Sequence, residues 1–170
     1  MKKITKNSIS LAGEFAVLSQ LASQGYDANM TLGNTKNVDI LVSCPKTKRM
    51  YKIEVKTRYG NKNGKPTKSK MFGNTLAWIM NKKHESQKEK DLFYCFVSLG
   101  RDTHPNRFFV IPSKEVARYV KDRHKRWLKA DKKHKDSSMR KFRVGFDKAG
   151  YTIPAPPPAS RYENNWSFKK

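Results

Sequence analysis

"YKIEVKTR", residues 51–58, is the stretch on which the reading of this chain turns. Tyr51, Ile53 and Val55 alternate with Lys52, Glu54 and Lys56. Period-two alternation of apolar and polar residues marks a half-buried β-strand. Residues two apart on a strand share a face, so Glu54 and Lys56 stand side by side. An acid followed two positions later by lysine is cheap in a lysine-rich chain. It occurs twice among the 14 acidic residues, at Glu54–Lys56 and Asp131–Lys133, about what chance supplies. The second pair falls in a basic helical stretch, where i,i+2 residues diverge. Only the first pair has a shared face.

Working outward, "NVDILV" (37–42) reads as the preceding strand, and "SCPKTKR" with Pro45 as the turn between the two. A hairpin centred on Lys46 and Thr47 sets Val38 opposite Val55, and Asp39 opposite Glu54 on the face that carries Lys56. Directly opposed side chains have Cβ atoms roughly 4.5–5.5 Å apart. Two carboxylates at that range repel, and a divalent cation between them would relieve the repulsion. Mg2+ favours such hard oxygen ligands, taking one or two carboxylates with water and substrate phosphate. A one-residue slip would turn Asp39 away, so the reading stands on this register. Upstream, "SISLAGEFAVLSQLASQG" (8–25) predicts a helix with Ser8 as N-cap and Gly25 as C-cap. Its apolar stripe is Leu11, Phe15, Leu18 and Leu21. Glu14 lies within that stripe, with Leu11, Val17, Leu18 and Leu21 around it. A carboxylate placed there needs a cationic partner or marks the edge of a site.

The remaining segments predict a mixed α/β domain. "YDANMTL" follows the helix as a short strand. Residues 58–75, rich in Gly, Asn and Lys, read as a mobile basic loop. "TLAWIMNKKHESQKEK" (75–90) reads as partly helical. "DLFYCFVSL" (91–99) is an apolar run of strand length, buried on both faces, and "RFFVIP" (107–112) is a further strand. Residues 113–135 predict a long basic helix capped by Ser113, with Val116, Val120, Trp127 and Leu128 as its apolar stripe. Phe108, Phe109 and Trp127 read as core. The organisation expected is one domain over 1–150 carrying the basic loop, then a Pro-rich tail, 151–170, extended in conformation. Trp166 and Phe168 of the tail are expected to pack back on the domain or on a second subunit.

Charge bounds the partner. The chain has 37 Lys+Arg against 14 Asp+Glu, a net +23. Such an excess opposes compaction, and nucleic acid is its usual use. No run of about 18 apolar residues exists, and no membrane partner is expected. The two cysteines, Cys44 and Cys95, form no CxxC and read as reduced thiols of a cytoplasmic protein, nucleoid-associated if bacterial. The four histidines match no zinc spacing. His84 is the one whose position allows a contact to phosphate.

Helix with "GEFAV", strand with "NVDILV" and strand with "YKIEVKTR", in that order, resemble the core of the PD-(D/E)XK nucleases. This fold is shared by restriction endonucleases and Holliday junction resolvases. The likeness covers residues 8–58, and residues 92–120 fit the later strand, strand and helix more loosely. Val38 stands where the family name has proline. The resemblance implies a restriction-endonuclease-like core, a central mixed β-sheet flanked by helices. It implies a metal-dependent DNA endonuclease that hydrolyses phosphodiester bonds, with junction- or flap-type substrates the expected class. Asp39, Glu54 and the Val55 carbonyl would hold Mg2+, with Mn2+ able to substitute. Glu14 would act through water or a second ion, and Lys56 would meet the attacking water or the phosphate. DNA backbone contacts are expected from Lys36, Thr57, Arg58, Lys62, Lys65, Lys68 and Lys70. The partner expected is duplex or branched DNA, with RNA as the other candidate, and the working unit a homodimer. The rival reading is a non-catalytic basic nucleic-acid-binding protein. It accounts for the charge equally well and leaves three converging acids unexplained.

Overall fold

The computed structural model describes residues 4–31, 37–69, 72–147 and 154–168. Five strands form a central mixed sheet in the order β1 (Asp27–Met30), β2 (Ile40–Ser43), β3 (Met50–Tyr59), β6 (Leu92–Leu99) and β7 (Arg107–Pro112). Strands β3 and β6 are parallel; the other neighbours are antiparallel. A second, antiparallel sheet holds β4 (Thr67–Ser69), β5 (Gly73–Asn81) and β8 (Met139–Gly145), in that order.

The run in β6 shows why the molecule has two cores. Phe93, Cys95 and Val97 point to one face, where they meet Val17 and Leu21 of helix α1 (Lys6–Ser23) with Ile40, Ile53 and Val55. Leu92, Tyr94 and Phe96 point to the other face, against Leu76, Trp78 and Phe142 of the second sheet and Val116 and Val120 of α2 (Ser113–Ala130). A strand covered on both sides has no wet face, hence the continuous apolar run.

Helix α1 is capped by Thr5, whose Oγ1 accepts the Ser8 N–H at 3.1 Å, so Ser8 is inside the helix. Gly25 follows the C-cap with φ +76°, the left-handed residue that closes a helix. The buried stripe is Gly13, Val17 and Leu21, whereas Leu11 is 48% and Phe15 54% exposed. The expected stripe is thus rotated. A glycine decides which face approaches the sheet, and hydrophobicity patterns give glycine no weight.

Residues 75–90 are mostly strand, and their helical part is a single 3-10 turn rather than an α-helix. Most of β5 lies there, its inward Leu76, Trp78 and Met80 alternating with smaller or exposed neighbours, and a short 3-10 turn (Lys82–Glu85) follows. Its partner β8 was not legible because Arg140 occupies one of its inward positions. That guanidinium is buried among Glu85, the Ser137 carbonyl at 2.6 Å and Asp136 at 3.3 Å. Only the first half of α2 has sheet beneath it, so Trp127 is 41% exposed rather than core. Ser113 does not cap this helix; its hydroxyl donates to the Glu89 carbonyl at 2.7 Å.

The tail seals both cores. Ala159 and Tyr162 of the one-turn helix α3 (Ala159–Tyr162) join the cluster around Phe96 and Phe142. Trp166 and Phe168 join the cluster around Val17 and Ile53. The Phe168 ring lies 4.8 Å from Tyr51, 5.3 Å from Phe93 and 5.4 Å from Tyr26. Arg107 grips Glu163 with two hydrogen bonds, at 2.6 and 2.8 Å. Among the described residues, no helix is long and apolar enough to cross a membrane.

Candidate active site

The β2–β3 ladder pairs Ile40 with Ile53. The hairpin register read from the sequence holds through this pair; one residue earlier, the Asp39 N–H also falls on Ile53, donating to its carbonyl at 2.8 Å, so that Asp39 and Ile40 both face Ile53 as in a β-bulge. The Asp39 Oδ2 accepts the Val55 N–H at 2.6 Å. That bond takes the place of the next rung and holds the carboxylate at the strand edge. The Val55 carbonyl leaves the strand on the same side as its N–H, so it faces the edge beside Asp39. Just past β1, the Thr31 N–H donates to the Asp39 carbonyl at 2.9 Å.

Glu54 and Lys56 leave β3 on the face turned toward the second sheet. Glu54 is 2% exposed. Its Oε1 accepts from the Lys56 ammonium at 2.5 Å and contacts His84 Nε2 at 3.1 Å. Its Oε2 is buried without a partner. Burial pushes the Glu54 carboxyl up, but the His84 hydrogen bond and the Lys56 charge outweigh it and hold it at about 2. It is an anion at neutral pH. Lys56 keeps 26% of its side chain exposed, with its ammonium held on the buried Glu54.

His84 is the residue whose part the sequence understated. Asn81 ends β5 and caps the 3-10 turn, its side chain accepting the Lys83 N–H at 3.1 Å. The His84 Nδ1 returns to the Asn81 backbone, 3.0 Å from its nitrogen and 2.8 Å from its oxygen. The ring is thereby aimed at Glu54. The Asn81-x-x-His84 spacing of a reciprocal cap was the available clue. Tyr94, paired with Glu54 in the ladder, hydrogen-bonds Gln87. Burial and then the Glu54 charge hold its phenol well above the usual range, so it stays protonated.

Gly13 brings the third acid in. A β-carbon there would meet Thr57 Oγ1 at 1.9 Å, so α1 lies directly on β3 at this point. Glu14, next in the helix, is half-buried and accepts from Ser10 Oγ at 3.2 Å. The charges of Glu14 and Glu54 both reach Asp39. Burial pushes the Asp39 carboxyl up and these two acids add to it, against the Val55 N–H and Lys56. The four expected residues Glu14, Asp39, Glu54 and Lys56 thus interact electrostatically around the middle of β3. Among the described residues, no three His, Cys, Asp or Glu side chains are set closely enough to hold an ion as they stand. The donor set that fits a hard cation is smaller: two carboxylates and the Val55 carbonyl, with Glu54 Oε2 lacking any other partner.

The expected DNA contacts divide. Lys62, Lys65 and Lys68 are exposed. Arg58 is half-buried and donates to Asn61 Oδ1 at 3.0 Å. The Thr57 hydroxyl is turned away from any ligand: it is buried under Gly13 with no hydrogen-bond partner. Lys36 and Lys70 lie outside the described residues. The loop at 58–75 is partly strand, containing the end of β3, β4 and the start of β5.

Comparison with solved structures adds one observation. The fold is similar to that of a bacterial homing endonuclease, I-Ssp6803I. The two superpose with a TM-score of 0.51 over 97% of this chain and 91% of the other, at 11% identity. Neither the protein-family models nor the curated sequences give a match. At that identity the likeness speaks for the backbone, a mixed α/β arrangement with helices against a central mixed sheet.

Proposed function

We propose that this protein is a metal-dependent DNA endonuclease of the PD-(D/E)XK type. The observation that carries the proposal is the Asp39 carboxylate held on the Val55 N–H, within electrostatic reach of Lys56, Glu14 and Glu54, with the Lys56 ammonium bonded to Glu54. In a chain of net charge +23, acids crowded around the middle of one strand work against binding a polyanion unless they hold a cation. Asp39, Glu54 and the Val55 carbonyl would hold Mg2+ or Mn2+, with Glu14 acting through water. The ion, when bound, supplies Lewis-acid stabilisation of the phosphate and lowers the pKa of water. The protein's own groups do the positioning. His84 fixes the Glu54 carboxylate, Glu54 fixes the Lys56 ammonium, and that ammonium stabilises negative charge developing on the phosphate. The exposed lysines at 62, 65 and 68 hold the backbone without reading bases. Cutting both strands takes two such sites, so the working unit is a dimer. The similar structure is that of a homing endonuclease, which favours duplex DNA as the first substrate to try, before branched DNA and RNA.

The test is nicking of supercoiled plasmid with Mg2+, beside EDTA. Asp39→Ala and Lys56→Ala should each abolish nicking while DNA binding stays close to wild type. Mg2+ or Mn2+ should raise the melting temperature of wild type but not of Glu54→Ala. Equal nicking by wild type and Asp39→Ala would end the proposal. Binding without any metal-dependent cleavage or stabilisation would leave the basic-binder reading in its place.

A further inference from the structure

Helix α1 stands out against the charge of the rest of the chain. From Asn7 to Tyr26 there is one charged side chain, Glu14, although 37 Lys+Arg and 14 Asp+Glu are spread over the 170 residues. Val17 and Leu21 bury one side of the helix. On the opposite side Ser8, Leu11, Ala12, Phe15, Ser19 and Ala22 are all exposed. At 3.6 residues per turn these side chains fall within about 100° of one another, a single stripe facing away from Val17. Leu11 is 48% and Phe15 54% exposed, and their four companions are alanine or serine. The stripe therefore offers a partner two bulky apolar groups, a bed of small ones and no charge.

We propose that this stripe is the contact between two copies of the protein, α1 against α1 about a two-fold axis at Phe15. Charge decides the occupant. A polyanion needs cations, and the stripe has none. An acidic partner protein would find no counter-charge there. Two copies of net charge +23 repel each other, and they approach at least cost through a face without charge, as the charge-depleted cores of interfaces do. Size points the same way. An antiparallel pair centred on Phe15 sets Leu11 against the partner's Ser19 and Ser8 against the partner's Ala22. A two-fold contact repeats each pairing, so the bulky groups meet small ones on both sides of Phe15. Residues 8–22 span about 21 Å of helix. A helix pair of that length covers roughly half of the about 800 Å2 per partner of a standard interface. The dimer is therefore weak by itself, and a duplex bound to both copies strengthens it. Glu14 leaves the same helix beside the stripe, so the contact sets the two candidate active sites in a fixed relation.

The proposal rests on the endonuclease reading only for the use of the dimer, and its test reads association without metal or DNA, so the two fail separately. Sedimentation equilibrium of the full chain in EDTA, at protein concentrations up to ~100 μM, should show monomer and dimer in exchange. Dimerisation should tighten about threefold or more between ~100 and ~500 mM salt, as screening removes the repulsion; DNA binding runs the other way over the same range. Phe15→Glu and Ala12→Glu should each weaken dimerisation at least about tenfold, although the added carboxylate lowers the net charge of each copy. Both positions are exposed, so the melting temperatures should match wild type. Ile79→Glu, at a position 61% exposed on β5, should leave association unchanged. A wild type that stays monomeric at every salt concentration would overturn the proposal. So would equal association of wild type and Phe15→Glu, or a loss in Ile79→Glu as large as in Phe15→Glu. Phe15-dependent co-sedimentation with phosphatidylserine vesicles, by a chain that does not self-associate, would also overturn it and give the stripe to a lipid surface.

Discussion

Replacing Gly13 by alanine should destabilise the protein even though it improves the helix. In an exposed helix interior the change gains about 0.8–1.0 kcal/mol. Here the new methyl would lie 1.9 Å from Thr57 Oγ1, 2.7 Å from its Cγ2 and 2.8 Å from its Cβ. Turning the Thr57 side chain moves the first two atoms but not the third. Restoring ordinary contact at the closest of them asks α1 to retreat by about 1.5 Å. The retreat would loosen Val17 and Leu21 in the core and carry Glu14 away from Asp39. Overpacking of this kind costs about 1–3 kcal/mol, more than the propensity gain. The expected net loss is up to about 2 kcal/mol. Urea denaturation followed by far-UV circular dichroism should show a lower midpoint with an unchanged slope. Adding Thr57→Ala removes the two nearest atoms and should recover a large part of the loss. The two substitutions should therefore couple by at least about 0.5 kcal/mol. A midpoint for Gly13→Ala equal to or above wild type would refute the claim that this glycine sets the seat of α1, and with it the placement of Glu14.

Three further outcomes are expected. His84→Ala should lower the plasmid nicking rate about 10–100-fold, since it orients a ligand rather than reacting, and leave DNA affinity unchanged; an unaltered rate would reduce His84 to packing. The Glu54 carboxyl is held at about 2, below its ordinary value of 4.5. It therefore contributes stability that is fully present above about pH 4.5 and lost as pH falls toward 2. Urea midpoints measured from pH 6 down to pH 2.5 should fall for wild type with a step that Glu54→Gln lacks; parallel curves would contradict this. Phe168→Ala should cost about 3–5 kcal/mol, as for a buried core aromatic, and a change within experimental error would mean that the tail is not part of the core.

Local pattern alone determined a good deal. Alternation in 51–58 defined β3 and placed Glu54 beside Lys56. The turn at Pro45 defined the register that pairs Ile40 with Ile53, because the hairpin is short, and so brought Asp39 to the edge of β3, where its carboxylate takes the Val55 N–H. The unbroken apolar run at 91–99 announced a strand covered on both faces. What needed the tertiary structure was everything carried by partners distant in the chain. The seat of α1 depends on a missing side chain at Gly13 meeting Thr57. Strand β8 hides because Arg140 faces inward, compensated by Glu85 and Asp136. His84 joins the site only because β5 crosses above the central sheet and its closing turn aims the ring at Glu54. Trp127 is exposed because α2 outruns the sheet beneath it. A sequence reports the periodicity of each element, which follows from its own backbone geometry. It does not report which face of one element meets which face of another, because that depends on shape and charge supplied by residues tens of positions away.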